Sequence, residues 1–190
     1  MAAAGSELVK ELSFYGAYHS NFENQLVHMV FVPLIIWSLF VFLAVVSWSA
    51  KRHWALNLST PVLLFYVAYY LAFDRTVGLI AAVFYTLVWL SANSLVREEN
   101  RKKSKLVKGT SMRLAIATHI ASWVFQVVVG HGFFEGRKPA LLDSLFQAFT
   151  MAPLFVVYET IFMMGFNLDL KAQIDLNVAR MHKDNNMMRV

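Results

Sequence analysis

Long apolar runs constrain this chain more than any other feature. From Ser20 to about Trp48, over residues 77–96 and 113–134, and from about Leu141 to Phe166, it carries stretches able to cross a bilayer core, which takes about 20 helical residues. A further run over residues 61–73 is short for a crossing. Asp74-Arg75 separates it from the next run, so the two read as a tight helical hairpin. Only 15% of the residues are charged and 58% are hydrophobic, whereas a soluble domain carries about a quarter charged residues. The fold class is therefore all-α, a polytopic transmembrane helix bundle of about four to five spans. At 190 residues the chain has room for a single membrane domain. Residues 1–19 form an amphipathic lead-in, 20–166 the helical bundle and 167–190 a polar tail.

Local signals fix the element ends. Leu8, Leu12 and Tyr15 recur at helical spacing in the lead-in, as Leu170, Ile174 and Leu176 do more weakly in the tail. Ser20 and Glu23 match a capping box, which starts the first long helix at Ser20, and Pro33 should kink that helix. Tyr66, Tyr69, Tyr70, Tyr85 and Trp89 suit packing or an interface better than a cofactor box. The N-terminus lacks the basic start and apolar core of a cleaved signal, so the first spanning helix serves as its own insertion signal. The basic residues flank apolar segments and form no nucleic-acid footprint. With five crossings, 13 of the 17 basic residues fall on the face of the first loop, the 97–113 loop and the tail. The positive-inside rule then puts that loop and the tail in the cytosol.

Ionisable residues inside such helices are costly and mark function by default. In the run 113–134, His119, Ser122 and Gln126 fall on one side at about 100° per residue. On an ideal helix His131 would lie roughly 120° off that stripe, but Gly130 and Gly132 flank it and should loosen the helix. The first long helix carries Asn24 and His28 on one face near its entry, with His19 just before it. In an up-down bundle these ends share a membrane side with His131, while His119 lies about 18 Å deeper. Bringing it in needs a kink at Pro33, a break at Gly130 or a displaced helix. His53 and His182 sit in polar surroundings and receive no role.

Cysteine is absent, which removes disulfides, thiolate metal sites and cysteine nucleophiles. Imidazoles suit iron, zinc or copper, and a histidine-rich pocket with a carboxylate favours nonheme iron or zinc. His19, His28, His119 and His131 are the candidate metal ligands. Glu135 and Glu159 are the candidate catalytic carboxylates. Asn24 and Gln126 are placed to orient imidazoles, and Arg137 or Lys138 to receive a substrate carboxylate. None of the six histidines follows the tight clusters of di-iron desaturases. A zinc hydrolase and a non-enzymatic transporter or scaffold, with proton-relay or packing histidines, stay open.

Tyr18-His19-Ser20-Asn21, with Asn24, His28 and Val32-Pro33-Leu34, resembles the opening motif of a known family. Its members are small multi-span proteins of the endoplasmic reticulum, the 2-hydroxy fatty acid dioxygenases. A second block carries the likeness further: His119, Ser122-Trp123, Gln126, Gly130-His131, Phe134-Glu135-Gly136-Arg137, Pro139-Ala140 and Ala152-Pro153-Leu154-Phe155. The resemblance covers roughly residues 8–165. It implies Fe(II) as cofactor and α-oxidation of a 2-hydroxy long-chain fatty acid, shortened by one carbon with O2, as in phytosphingosine breakdown. A 2-hydroxy acid can chelate a metal through its hydroxyl and carboxylate, and the phenylalanine-rich helices (16 Phe) can sheathe its chain in the lipid bilayer.

Overall fold

A computed structural model describes residues 2–48, 53–102, 109–139 and 145–184. The expected start of the last span near Leu141 and most of the basic loop before Gly109 lie outside the described residues. All the regular elements described are helical, so the chain is an all-α bundle. They are α1 (Ala2–Tyr18), α2 (Phe22–Val46), α3 (Ser59–Phe73), α4 (Arg75–Arg101), α5 (Thr110–Val124), α6 (Leu145–Met163) and α7 (Leu168–Asp184). A π-helical stretch, Phe125–Glu135, continues α5. Among the described residues, three helices are long and apolar enough to cross a membrane: α2, α4 and the continuous Thr110–Glu135. The α6–α7 pair adds a fourth only if counted as one broken span, since it bends by 117°. The described residues thus hold three to four such spans, consistent with the expected bundle. α3 is too short, and α6 ends in a turn where Gly165 (φ 83°) and Asn167 (φ 57°) take left-handed backbone.

The described contacts divide the chain into two compact units, Met1–Val32 with Val124–Val190, and Pro33–Trp123. In the second, α3 and α4 form the expected hairpin. Asp74 caps α4 by accepting from the Thr76 and Val77 N–H groups at 2.7 and 2.9 Å. Gly78 is required there, because any Cβ would run into the Tyr70 carbonyl. Tyr66, Tyr70 and Tyr85 are buried against one another, which is packing. Trp89 and Asn93 both donate to the Ser59 hydroxyl, at 2.8 and 3.1 Å.

In the first unit, α1 buries Leu8, Leu12 and Tyr15, the face expected from spacing, and packs on α6 and α7. The polar tail is a helix, α7. It buries Ile174, leaves Leu176 exposed, and approaches α1 closely at Gly16, where a Cβ would lie 3.2 Å from Val178. The expected Ser20 cap is corrected. α2 starts at Phe22 and its cap is Asn21, whose Oδ1 accepts from the Asn24 N–H at 3.0 Å. The expected break at Gly130 is also replaced. The helix stays intact but winds in π form, ending at Gly136 (φ 63°), whose N–H bonds the His131 carbonyl. Widened i→i+5 turns stack residues five apart, so Gln126 and His131 share one buried face.

Candidate metal centre

Three histidines from three segments of the first unit meet. His19 follows the last residue of α1, His28 sits two turns into α2, and His131 lies on the π-helical stretch. Their ring centroids are 4.4, 4.9 and 4.9 Å apart, and all three residues are buried. The first two are oriented by their own helices. His19 Nδ1 donates to the Tyr15 carbonyl at 2.8 Å and His28 Nδ1 to the Asn24 carbonyl at 3.0 Å. A carbonyl only accepts, so the proton sits on Nδ1 and each Nε2 keeps its lone pair. Tyr15 also stacks on His19 at 5.5 Å, and Phe155 of α6 packs against both rings, at 5.5 Å from His19 and 5.4 Å from Tyr15.

One nitrogen from each ring lies within 4.8 Å of the others. They can converge on one ion, at nitrogen–metal bonds of about 2.1 Å, with shifts under about 1 Å. The donor set fits a metal on two further grounds. His131 Nδ1 is buried without a hydrogen-bond partner among the described residues, a costly state for a polar atom. Burial, and then the neighbouring His28 and His131, hold the His19 imidazole well below its ordinary value. It therefore stays neutral at physiological pH, as metal binding requires.

Gly130 makes the approach of α2 to the π-helical stretch possible, since a Cβ there would lie 2.5 Å from Asn24 Oδ1. Glu135 lies just beyond His131 with its side chain 2% exposed. One carboxylate oxygen accepts from the Ser20 N–H at 3.0 Å. The other accepts from the Asn21 N–H at 2.9 Å and from Asn24 Nδ2 at 3.0 Å. Arg137 stands 3.8 Å away. Asn24 touches the centre through its backbone, whose carbonyl holds His28. Gln126 is buried, and its Nε2 has no partner among the described residues.

His119 is not among the three. It belongs to the other unit, where both of its nitrogens are engaged: Nε2 accepts from Trp123 Nε1 at 3.0 Å, and Nδ1 bonds the Ser38 hydroxyl at 2.8 Å. Indole only donates, which puts the His119 proton on Nδ1 and leaves no lone pair for a metal. Glu159 is buried on α6 and lines a cavity of about 250 Å³ with His19, Gln25, Lys171 and His182. Arg137 Nη1 donates to the Ala17 carbonyl at 3.1 Å and lies 2.8 Å from His182 Nε2. His182, given no role from sequence, thus joins the end of α1 to α7. Lys138 is half-buried, and His53 is exposed, accepting from the Ala55 N–H at 3.3 Å. Sequence reasoning missed Tyr15, although its spacing of four from His19 on a helix was a usable signal.

Fold and site together define a class: a membrane protein of helices in which three buried imidazoles form a group able to hold a metal ion. Comparison with known proteins makes this particular. The family described as 2-hydroxy-palmitic acid dioxygenase Mpo1-like matches residues 6–164, and the chain belongs to it. The 2-hydroxy-palmitic acid dioxygenase MPO1 of Saccharomyces cerevisiae is 30% identical over 183 residues, covering 96% of each chain. Membership places the chain among the dioxygenases, a class of oxidoreductase. No solved structure matches it.

Proposed function

We propose that this chain is an Fe(II)-dependent dioxygenase that shortens 2-hydroxy long-chain fatty acids by one carbon with O2, with His19, His28 and His131 as the iron ligands. The observation that carries the reading is the convergence of three buried imidazoles, two with the proton fixed on Nδ1. His119 is left out of the ligand set because its lone pair is engaged by Trp123. Three neutral ligands leave positions open, and bound iron would supply a site for O2 beside a chelating 2-hydroxy acid. A 2-hydroxy acid and O2 balance as the one-carbon-shorter acid, CO2 and water, so no external reductant is required.

The chain's residues do the rest. Tyr15 and Asn24 hold two rings in orientation through backbone carbonyls. Phe155 and Tyr15 cover His19 and exclude water from it. The cavity that His19 lines gives the polar end of the substrate a way in, while the acyl chain stays in the bilayer along exposed Leu26 and Val30 of α2. Arg137 uses only Nη1 among the described residues, and we assign its other donors, with Lys138, to the substrate carboxylate. Glu159 stays a cavity-wall carboxyl within reach of that end.

We further propose residence in the endoplasmic reticulum membrane, supported by the motif resemblance, and a role in breakdown of phytosphingosine-derived acids. The 97–113 loop and the tail are both proposed to face the cytosol; α7, the second member of the bent pair, is tied back to Ala17 and Arg137. The cytosolic assignment of that loop rests on its own basic residues. Glycosylation acceptors placed in it should stay unmodified in microsomes, and modification would reverse the assignment; an acceptor after Asp184 reads the tail in the same preparation.

The activity is tested on anaerobically purified, iron-loaded protein given 2-hydroxypalmitate and O2. Oxygen uptake matched to a 15-carbon acid and CO2 supports the reading. Protein without stoichiometric iron, and no substrate-dependent uptake, points instead to a transporter or scaffold.

A further inference from the structure

Glu135 occupies a position that no ligand role explains. Its side chain is 2% exposed, and both its oxygens are engaged, one by the Ser20 N–H with Arg137 3.8 Å away and the other by the Asn21 N–H and Asn24 Nδ2. Those donors are distributed in a telling way. Ser20 and Asn21 are the two residues directly after His19, and their N–H groups have no partner within α2 because they stand at its start. Asn24 is the residue whose carbonyl holds His28 Nδ1. Glu135 itself lies four residues after His131, at the end of the π-helical stretch. One buried carboxylate therefore touches each of the three histidine-bearing segments within four residues of its histidine.

We propose that Glu135 is the positioning residue of the metal centre, a clamp that sets the three imidazoles at ligating distance without itself binding the ion. This rests on the three-histidine metal reading above and adds to it how the site is held open to a metal. Its physical basis is the pairing of an anion with N–H groups at a helix start, which favours negative charge, in surroundings where water cannot substitute for the carboxylate. Groups that orient ligands from outside the first coordination layer carry about 10- to 100-fold in metal affinity. The clamp also accounts for the displaced cap. With Glu135 serving the Ser20 and Asn21 N–H groups, the Asn21 side chain is free to accept from Asn24.

The test is a Co(II) titration of metal-free protein in nanodiscs, followed by ligand-field absorption, for the parent and for Glu135→Asp, Glu135→Gln and Glu135→Ala. Circular dichroism verifies that each variant keeps its helices, and Gln retains one carbonyl acceptor should Ala loosen the start of α2. A clamp predicts affinity falling in the order parent, Asp, Gln, Ala, with the last two about 10- to 100-fold weaker. The saturated spectrum should keep its form, because the ligands are unchanged. A spectrum that changes form at saturation makes Glu135 a ligand and overturns the proposal, as does parental affinity in Glu135→Ala. Nitrogen NMR of the histidine rings in metal-free protein separates this from failure of the metal reading. If the parent binds no Co(II), the metal reading falls, and the clamp stands only if Glu135→Ala shifts the His19 and His28 ring signals. Unshifted rings overturn it.

Discussion

Gly130→Ala offers a sharp test of how closely α2 and the π-helical stretch must approach. The new Cβ would lie 2.5 Å from Asn24 Oδ1 and 3.3 Å from His28 Cε1. Ordinary contact begins at 3.4 Å, so Asn24 Oδ1 must retreat by about 0.9 Å. Asn24 is fully buried and its amide nitrogen is bonded to Glu135, so it cannot simply rotate away. If the helices separate, overpacking costs about 1–3 kcal/mol. If Asn24 swings out, it loses a bond to a charged group, about 1.5–3 kcal/mol. Either route outweighs the ~0.5–1 kcal/mol that alanine gains over glycine in a helix. The net loss is about 1–2 kcal/mol, and where the helices separate, the Asn24 carbonyl that orients His28 moves away with α2. Metal affinity should fall at least about tenfold, since misplacement by about 1 Å can cost a factor of 100 at a reacting centre. Gly132→Ala is the control. Its Cβ meets only the Val127 carbonyl at 3.4 Å, so it should be neutral or mildly stabilising and keep its metal. The assay pairs thermal unfolding in detergent with metal titration. If Gly130→Ala matches Gly132→Ala in both, the close approach does not govern the site.

Three further outcomes follow from the same contacts. His119→Ala should leave Trp123 Nε1 and the Ser38 hydroxyl without their imidazole, destabilising the protein by about 1–3 kcal/mol in chemical denaturation; an unchanged midpoint would contradict the network. Asn21→Ala should cost about 1 kcal/mol as loss of the α2 cap, whereas Ser20→Ala, whose hydroxyl among the described residues makes only long contacts to Gly16 and Arg137 at 3.4 and 3.3 Å, should stay within about 0.5 kcal/mol; the reverse order would restore Ser20 as the cap. Because His19 is held below its ordinary 6.5 chiefly by burial, the unfolded chain binds its proton first as pH falls. Metal-free protein should therefore keep this contribution above about pH 6.5 and lose stability progressively below it, and a melting temperature constant from pH 7 to 5 would rule the argument out.

Much of this was legible in the sequence because it follows from single-helix periodicity. The buried face of α1, the long α2 and the tight turn at Asp74 each obey spacing rules that need no tertiary knowledge. His19 and His28 flank one helix start, so their meeting was also readable. What escaped depends on contacts distant in sequence. The stripe through His119 assumed uniform α-helical winding, and the π-helical turns from Phe125 onward rotate His131 relative to it. Ser38, 81 positions before His119, engages that imidazole, and no local pattern announces it. The capping box expected at Ser20 gives way because Glu135, more than 110 residues away, accepts from the Ser20 N–H in the part Glu23 would have played, and from the Asn21 N–H. The tail looked polar and weakly patterned, yet Gly16 of α1 lets it pack as α7.

The most direct measurement is the iron-to-protein ratio after anaerobic loading and desalting, compared across His19→Ala, His28→Ala, His131→Ala and His119→Ala. The account predicts one iron per chain in the parent and in His119→Ala, and almost none in the other three, with all five proteins inserted in membrane. Full iron in any one of the first three variants, or its loss in His119→Ala, would contradict the three-histidine centre.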